Sequence, residues 1–249
     1  MKPLRFLTRL AALLLLGALA LQLYFAGRIA LMNVLAPQST TFQRAEAWRI
    51  LSEQGRLPWS QQWVDGEALS PQLRRAVIAS EDASFAEHGG VDWEALEKAW
   101  ERNQRAQAKL EKKLAQVGPA AKTVKPAKVV GGSTITQQLA KNLFLSGERN
   151  FVRKAQEIVI TYMLEGLLSK QRILDIYLNN VEWGEGLFGA QAAARNYFRL
   201  DASRLSANQA ARLAVMLPAP KRFEKRPASP YVLSRAATIE ARMPAVELP

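Results

Sequence analysis

The longest apolar segment of the 249-residue chain lies at its N-terminus. An uncharged stretch runs from Leu10 to Gly27, and apolar residues resume after Arg28 and continue to Ala36. A helix of roughly 20 apolar residues crosses a bilayer, and the side chain of a flanking arginine can extend to the interface. The pattern therefore predicts a transmembrane anchor over residues 10–36.

The basic residues before this segment predict its orientation. Lys2, Arg5 and Arg9 lie in a tail formed by residues 1–9, and basic flanks stay in the cytoplasm. Residues 37–249 are then expected as a periplasmic domain on a single-pass protein of the inner membrane. A cleaved signal peptide is the alternative, but the apolar run is long for one and no clear small-x-small cleavage site follows it.

Beyond the anchor, apolar positions recur mainly at helical spacing. Residues 44–54 predict a helix that ends before a turn at 55–58, and a second predicted helix has Ser70 as its N-cap and Pro71 in its first turn. Residues 133–194 are helical in pattern almost throughout, and alternating runs typical of strands are few. The tail from Pro218 carries six prolines and predicts irregular structure with a last short helix near residues 233–243. These patterns predict an all-α domain.

Residues 95–129 differ in composition from the rest. Residues 96–114 predict a charged helix, and residues 115–128, rich in Ala, Lys and Pro, predict a loop. Between Lys98 and Lys128 nine Lys or Arg residues stand against two Glu. The stretch is either a solvated helix and linker or a basic, mobile insert near anionic lipid or diphosphate.

The charge balance of the whole chain favours an anionic partner. The formal net charge is +12, which suits nucleic acid, phospholipid head groups or a phosphorylated ligand. The chain has no cysteine, so disulfides, thiolate metal sites and a cysteine nucleophile are excluded.

Three polar clusters carry candidate chemistry. The first, EDASFAEHGGVD, spans residues 81–92 and holds four carboxylates and the only histidine of the chain. A carboxylate at a helix end beside a glycine-rich turn can face a cleft, and partial burial would make it a competent base. Taken alone, a Glu-Asp pair of this kind is more often a charged helix terminus.

The second cluster, GGSTITQQLAKN, spans residues 131–142. Glycines followed by Ser133 as N-cap of a helix would offer backbone N–H groups to an anion. A capped helix with its amides facing solvent is the plain alternative. The candidate substrate-binding side chains, for diphosphate and sugar, are Ser133, Thr134, Gln137, Gln138, Lys141 and Asn142.

The third cluster, RNFVRKAQE, places Arg149, Arg153 and Glu157 four residues apart on one helix face, with Lys154 beside them. A surface stripe of ion pairs is the ordinary interpretation. A cation pair that holds a diphosphate, with a second carboxylate beside it, is the functional one. Two further segments, RILDIYLNN and GAQAAARNYF, indicate helix packing rather than chemistry.

The five segments, in this order, resemble the peptidoglycan glycosyltransferases of family 51. With the LPAP stretch at 217–220 and the anchor, the resemblance covers nearly the whole chain, and five ordered motifs are far more specific than any one of them. Ser-x-x-Lys and Lys-Thr-Gly motifs are missing, so the resemblance implies the form with glycosyltransferase activity alone. The gap between the first two motifs is longer than the family pattern leads us to expect.

The resemblance implies a lysozyme-like helical fold and a definite reaction. The partners would be lipid II and a growing glycan strand on undecaprenyl diphosphate, joined through a β-1,4 bond by a single inverting displacement. Glu81 would be the catalytic base and Glu157 the second functional carboxylate. Lys141, Arg149, Arg153 and Lys154 would neutralise the diphosphate. No tightly bound cofactor is implied; a divalent cation, Mg²⁺ or Mn²⁺, held by Glu157 is an alternative to its orienting the cations.

Other functions fit the sequence less well. A lytic enzyme would share the fold and a catalytic glutamate but would need neither a diphosphate pocket nor an anchor. A membrane-anchored scaffold for other cell-wall synthesis or division proteins could coexist with catalysis. Nucleic-acid binding would explain the charge but neither the anchor nor the motifs.

Overall fold

The computed structural model of the chain describes residues 2–117, 132–148 and 150–249. Eleven α-helices lie in these ranges: α1 (Lys2–Leu31), α2 (Thr41–Gln54), α3 (Pro71–Glu81), α4 (Trp93–Val117), α5 (Ile135–Phe144), α6 (Phe151–Leu167), α7 (Lys170–Asn180), α8 (Ala190–Phe198), α9 (Ala207–Met216), α10 (Pro220–Phe223) and α11 (Pro230–Glu240). The same ranges contain short 3-10 helices and three short strands: β1 (Ser60–Gln61), β2 (Glu182–Gly184) and β3 (Leu187–Phe188). The prediction of a mainly α-helical protein with one N-terminal apolar helix is confirmed.

Helix α1 is compatible with a single-pass membrane anchor. Its residues Arg5–Leu31 are long and apolar enough to cross a membrane, and most of them are exposed. The helix begins at Lys2, inside the predicted basic tail, and ends before a turn over residues 32–35, so it does not coincide with the predicted segment 10–36. The division of the chain into tail, anchor and domain stays a prediction.

The C-terminal half of α1 packs against the domain. The side-chain amides of Gln22 and Gln156 bond each other at 2.9 and 3.0 Å, and Asn33 Nδ2 donates to the carbonyl of Leu167 at 3.0 Å. Both pairs join residues 134 apart in the chain, so α1 and α6 run side by side in the same direction. The ring of Phe25 meets that of Phe144 edge to face at 5.1 Å, so α1 also contacts α5.

Two groups of helices build the core. Helices α3, α9 and α11 pack on one another, and α5 lies against α2, α6 and α7. The apolar positions of α3 that recur at helical spacing, such as Leu73 and Val77, are fully buried. Because α3 is held along its length, the polar residues at its C-terminal end have a fixed position.

Several predicted boundaries change for local reasons. Helix α2 begins at Thr41 rather than at residue 44, because Thr40 and Gln43 form a reciprocal capping box. Helix α4 extends beyond the predicted range 96–114, and residues 115–117 of the predicted loop are helical. Residues 118–131 lie outside the described ranges. In the predicted irregular tail, α10 and α11 are both helical, and α11 begins at Pro230.

The predicted helical pattern over residues 133–194 is interrupted by strands. Strand β3 pairs in parallel with β1 and antiparallel with β2, in the order β1-β3-β2. Gly186 turns the chain between β2 and β3 with a φ of +68°, and a Cβ there would collide with the carbonyl oxygen of Pro58. This contact from a distant segment is why local periodicity did not reveal the strands.

Candidate active site

Glu81 is the last residue of α3. The helix begins as predicted, with the hydroxyl of Ser70 accepting from the N–H of Gln72 and Pro71 in the first turn. At the other end, Glu81 Oε2 accepts a hydrogen bond from Gln138 Nε2 at 3.1 Å. Burial raises the pKa of Glu81 above its ordinary value and the charge of Asp82 adds to the rise, while hydrogen bonds from Gln138 and Ser80 oppose it. The carboxyl group is thus poised to take up a proton.

The segment after Glu81 folds back onto the start of α5. Asp82 Oδ2 accepts from the backbone N–H of Ile135 at 3.0 Å, and Asp82 Oδ1 lies 2.9 Å from His88 Nε2. The N–H of Gly90 donates to His88 Nδ1 at 3.1 Å, so the proton of the neutral ring belongs on Nε2. Thr134 Oγ1 donates to the carbonyl of Gly90 at 2.6 Å. These bonds join the first two motifs into one unit.

Lys170 connects this unit to α6. Its ammonium donates to the carbonyl of His88 at 2.6 Å and to Glu165 at 2.9 Å, and it lies 4.6 Å from the centre of the Phe85 ring. Glu165 in turn accepts from the hydroxyl of Thr136 at 2.6 Å. Neither Lys170 nor Glu165 lies in a motif. Their contacts with His88 and Thr136 form only when distant segments pack together, so local patterns did not single them out.

The N-terminus of α5 differs from the prediction. Thr134, not Ser133, is the N-cap, and it forms a capping box with Gln137. The N–H of Ile135, expected to face a bound anion, instead meets the carboxylate of Asp82. The hydroxyl of Thr134 and the side-chain carbonyl of Gln137 are therefore used within the protein. Their role in substrate binding stays a prediction.

A cleft of about 300 Å³ lies between α2, α5 and α6. Lys141, Arg153, Lys154 and Glu157 supply its charged lining. Predicted residues from α5 and the segment before it line it too: Ser133, Gln137, Gln138 and Asn142. The structure thus brings eight of the predicted site residues to one cleft, whereas Arg149 lies outside the described residues.

Glu157 lies between two cations of the cleft. Its carboxylate is buried, with Oε2 2.6 Å from Arg153 Nη1 and Oε1 paired with the ammonium of Lys154. A metal ion at Glu157 would have to displace one of these cations. The donor set therefore does not fit a bound divalent ion and fits a carboxylate that orients two positive side chains.

A smaller pocket of about 200 Å³ adjoins the cleft and contains Glu81. Ser133 lines both spaces, and Gln138 lines the cleft while it bonds Glu81. The charged residues of the smaller pocket include Asp92 and Arg102 as well. A basic carboxylate and a cationic cleft thus lie next to each other, on either side of the first turn of α5.

Asp82, His88 and Asp92 form the group of potential metal ligands among the described residues, with ligand atoms within 4.8 Å of one another. The oxygens of Asp92 accept hydrogen bonds from the hydroxyl of Ser84 and from the N–H of Ala95. These two bonds, above all the one from Ser84, hold the pKa of Asp92 below its ordinary value. Because the ligand atoms already have partners, the geometry favours a structural cluster over a metal site.

The model of the transglycosylase family matches residues 50–244. The chain belongs to the transglycosylase family. The matched range contains all five motifs and every charged residue of the cleft described above. The family predicted from the five motifs is confirmed, and with it the prediction of a glycosyl-transferring enzyme.

Individual transglycosylases are similar to the chain over most of its length. A protein of Burkholderia thailandensis named biosynthetic peptidoglycan transglycosylase is 52% identical over 231 residues, which cover 93% of this chain and 83% of that protein. Proteins of the same name from Cupriavidus metallidurans and Paraburkholderia phytofirmans are 50% and 46% identical, over 98% and 99% of the chain and 99% and 95% of their own lengths. The similarity to these two transglycosylases thus extends into the apolar helix α1.

The structure also identifies a site residue that sequence reasoning missed. Tyr177, assigned to packing alone, donates from its hydroxyl to Gln138 Oε1 at 3.0 Å. It therefore touches the residue that bonds Glu81. Its position on a buried face of α7 looked like ordinary core packing, and only the contact between α5 and α7 shows otherwise.

Proposed function

We propose that the protein is a peptidoglycan transglycosylase that extends glycan strands from lipid II. The acceptor would be lipid II and the donor a glycan strand on undecaprenyl diphosphate. The acceptor 4-hydroxyl oxygen bonds the anomeric carbon of the donor, the bond from that carbon to the diphosphate oxygen breaks, and the diphosphate leaves with the electron pair. One displacement inverts the anomeric centre and forms a β-1,4 linkage.

The observation that carries this proposal is the placement of Glu81. Its partly buried carboxyl group, with a raised pKa, opens on a pocket that adjoins a cleft lined by cations. A carboxylate whose pKa lies nearer to neutrality is the better general base, because it holds the abstracted proton more strongly. Glu81 takes the proton of the attacking hydroxyl as the new bond forms.

The cations of the cleft fit the leaving group. A departing diphosphate develops negative charge, and preorganised positive groups in a partly dehydrated cleft stabilise it most effectively. Arg153 and Lys154, aligned by Glu157, and Lys141 from α5 line one space. In this proposal Glu157 orients the cations and is not a second base.

The surface beside the cleft suits a lipid-linked substrate. Phe151 and Val152, the two residues before Arg153 and Lys154, are 95% and 81% exposed. They begin α6, which runs beside the apolar helix α1. We propose that this apolar surface meets the outer face of the inner membrane, so that the lipid chain stays in the bilayer while the diphosphate enters the cleft.

The test is an assay of the full chain in detergent or liposomes with labelled lipid II. The wild type should produce long strands, and Glu81→Gln should lower the rate by about 10²-fold or more while lipid II binding is largely kept. Glu87→Gln is the matched control, because Glu87 lies in the same motif with an exposed side chain. Extension by Glu81→Gln at the wild-type rate would overturn the assignment of the base.

Two further arms separate the rival activities. Shortening of strands in purified sacculus, without extension of lipid II, would support a lytic enzyme instead. Chelator should leave the rate unchanged if the arginine and lysine residues alone neutralise the diphosphate. A rate that collapses with chelator and recovers with Mg²⁺ or Mn²⁺ would contradict that part of the proposal.

A further inference from the structure

Tyr177, Gln138 and Glu81 form a chain of hydrogen bonds from the core to the site. The hydroxyl of Tyr177 donates to Gln138 Oε1 at 3.0 Å, and Gln138 Nε2 donates to Glu81 Oε2 at 3.1 Å. Tyr177 is 1% exposed, whereas Gln138 lines the cleft. A buried phenol therefore contacts the far side of the amide that faces the candidate base.

We infer that Tyr177 is a positioning residue, whose hydroxyl fixes the Gln138 amide so that its N–H rather than its carbonyl faces Glu81. The inference rests on the proposed role of Glu81 as base. An amide can present either end to a carboxyl group, and the two ends have opposite effects on an ionised carboxylate. An amide held in one orientation therefore decides whether the site favours the protonated or the ionised form of Glu81.

The Tyr177 hydroxyl has one hydrogen-bond acceptor among the residues that the structure describes, Gln138 Oε1. If the amide turned over, the phenolic proton would be left without a partner in the core, which costs about 1–3 kcal/mol. Burial, together with the charges of Glu81 and Asp82, raises the pKa of Tyr177 well above its ordinary value. The hydroxyl therefore keeps its proton and acts as a donor across the neutral pH range.

The fixed N–H stabilises the ionised form of Glu81. Burial and the neighbouring charge of Asp82 favour the protonated form, and the bond from Gln138 acts against both. The other charged groups that line the same pocket are Asp92 and Arg102. Without the tyrosine hydroxyl, Gln138 can turn its carbonyl towards a protonated Glu81, so the carboxyl group should titrate at a higher pH.

The experiment compares the pH dependence of lipid II extension by the wild type and Tyr177→Phe. We expect the acid limb of kcat/KM to move up by about half a pH unit or more, since a hydrogen bond to a charged group is weakened. At a pH well below the midpoint of that limb the rate should fall roughly three- to tenfold, with KM for lipid II little changed. Tyr197→Phe is the matched control: it removes a hydroxyl that donates to the carbonyl of Trp183 at 2.8 Å, and its acid limb should not move.

A Gln138→Leu background shows whether Tyr177 acts through the amide. Gln138→Leu alone should move the acid limb at least as far, and Tyr177→Phe added to it should move the limb no further. A loss of rate in Tyr177→Phe with an unmoved acid limb, or an equal extra shift in the Gln138→Leu background, would overturn the inference.

A direct titration keeps the inference testable if a variant is inactive. The carboxyl infrared band that disappears in Glu81→Gln can be followed with pH in the wild type and in folded Tyr177→Phe, and its midpoint should be higher in the variant. If Glu81→Gln is fully active, the proposed base fails. If Glu81→Gln is inactive and the midpoint is the same in both proteins, only the role of Tyr177 fails.

Discussion

The buried carboxyl group of Glu182 should make the folded protein less stable as pH rises. This residue of β2 is buried, and its Oε1 lies 3.4 Å from Lys221 Nζ of α10. Burial, with a smaller contribution from the charge of Glu46, raises the pKa of Glu182 to about 7, although Lys221 and Arg49 oppose the rise. A carboxyl group in an unfolded chain titrates near pH 4.3.

The direction in which stability changes with pH follows from proton binding to the folded and unfolded chains. Between about pH 4.5 and pH 7 the folded protein holds a proton on Glu182 that the unfolded chain has lost. The free energy of unfolding therefore decreases as pH rises through this window. The full pKa difference would correspond to about 3 kcal/mol, and because part of the carboxyl group stays solvated we expect about 1–2 kcal/mol.

Glu182→Gln removes this titration while it keeps the shape of the side chain. The variant should match the wild type near pH 4.5 and be more stable by about 1–2 kcal/mol at pH 8, in urea unfolding of the full chain in detergent. Glu185→Gln is the control of opposite sign, because the hydrogen bond from Arg49 lowers the pKa of Glu185. A Glu182→Gln variant no more stable than the wild type at pH 8 would refute the reasoning.

Two other changes test the backbone and the cleft. Gly189→Ala should destabilise the fold by about 2 kcal/mol or more in thermal melts, because φ is +81° and the new Cβ would lie 2.6 Å from the carbonyl oxygen of Asn179. The control Gly166→Ala, in open space on α6, should instead stabilise the fold by about 0.5–1 kcal/mol. Equal melting temperatures for the two variants would contradict this prediction. Arg153→Ala should weaken lipid II binding and cut extension about 10²-fold, with Arg153→Lys partly active in the same assays; unchanged affinity in Arg153→Ala would argue against a diphosphate in the cleft, where Arg153 pairs with Glu157.

The candidate site could be predicted where its signals are local. Ser70 and Pro71 mark the start of α3, and eleven residues of regular helix then lead to Glu81. The spacing of Arg153 and Glu157 likewise predicted their pairing on one helix face.

Contacts between distant segments limited the rest of the prediction. Sequence alone placed the helix cap at Ser133 and offered the first N–H groups of α5 to substrate. It did not show that the carboxylate of Asp82, 53 residues earlier, occupies the N–H of Ile135. Tyr177 was assigned to the core for the same reason, since its hydroxyl meets Gln138 only after α7 packs on α5.

The most direct test of the central claim is the rate of lipid II extension by Glu81→Gln in the full chain. We expect a loss of about 10²-fold or more, with lipid II binding and thermal stability close to those of the wild type and of Glu87→Gln. Strand growth by Glu81→Gln at the wild-type rate would contradict the account, because a glutamine cannot accept the proton of the attacking hydroxyl.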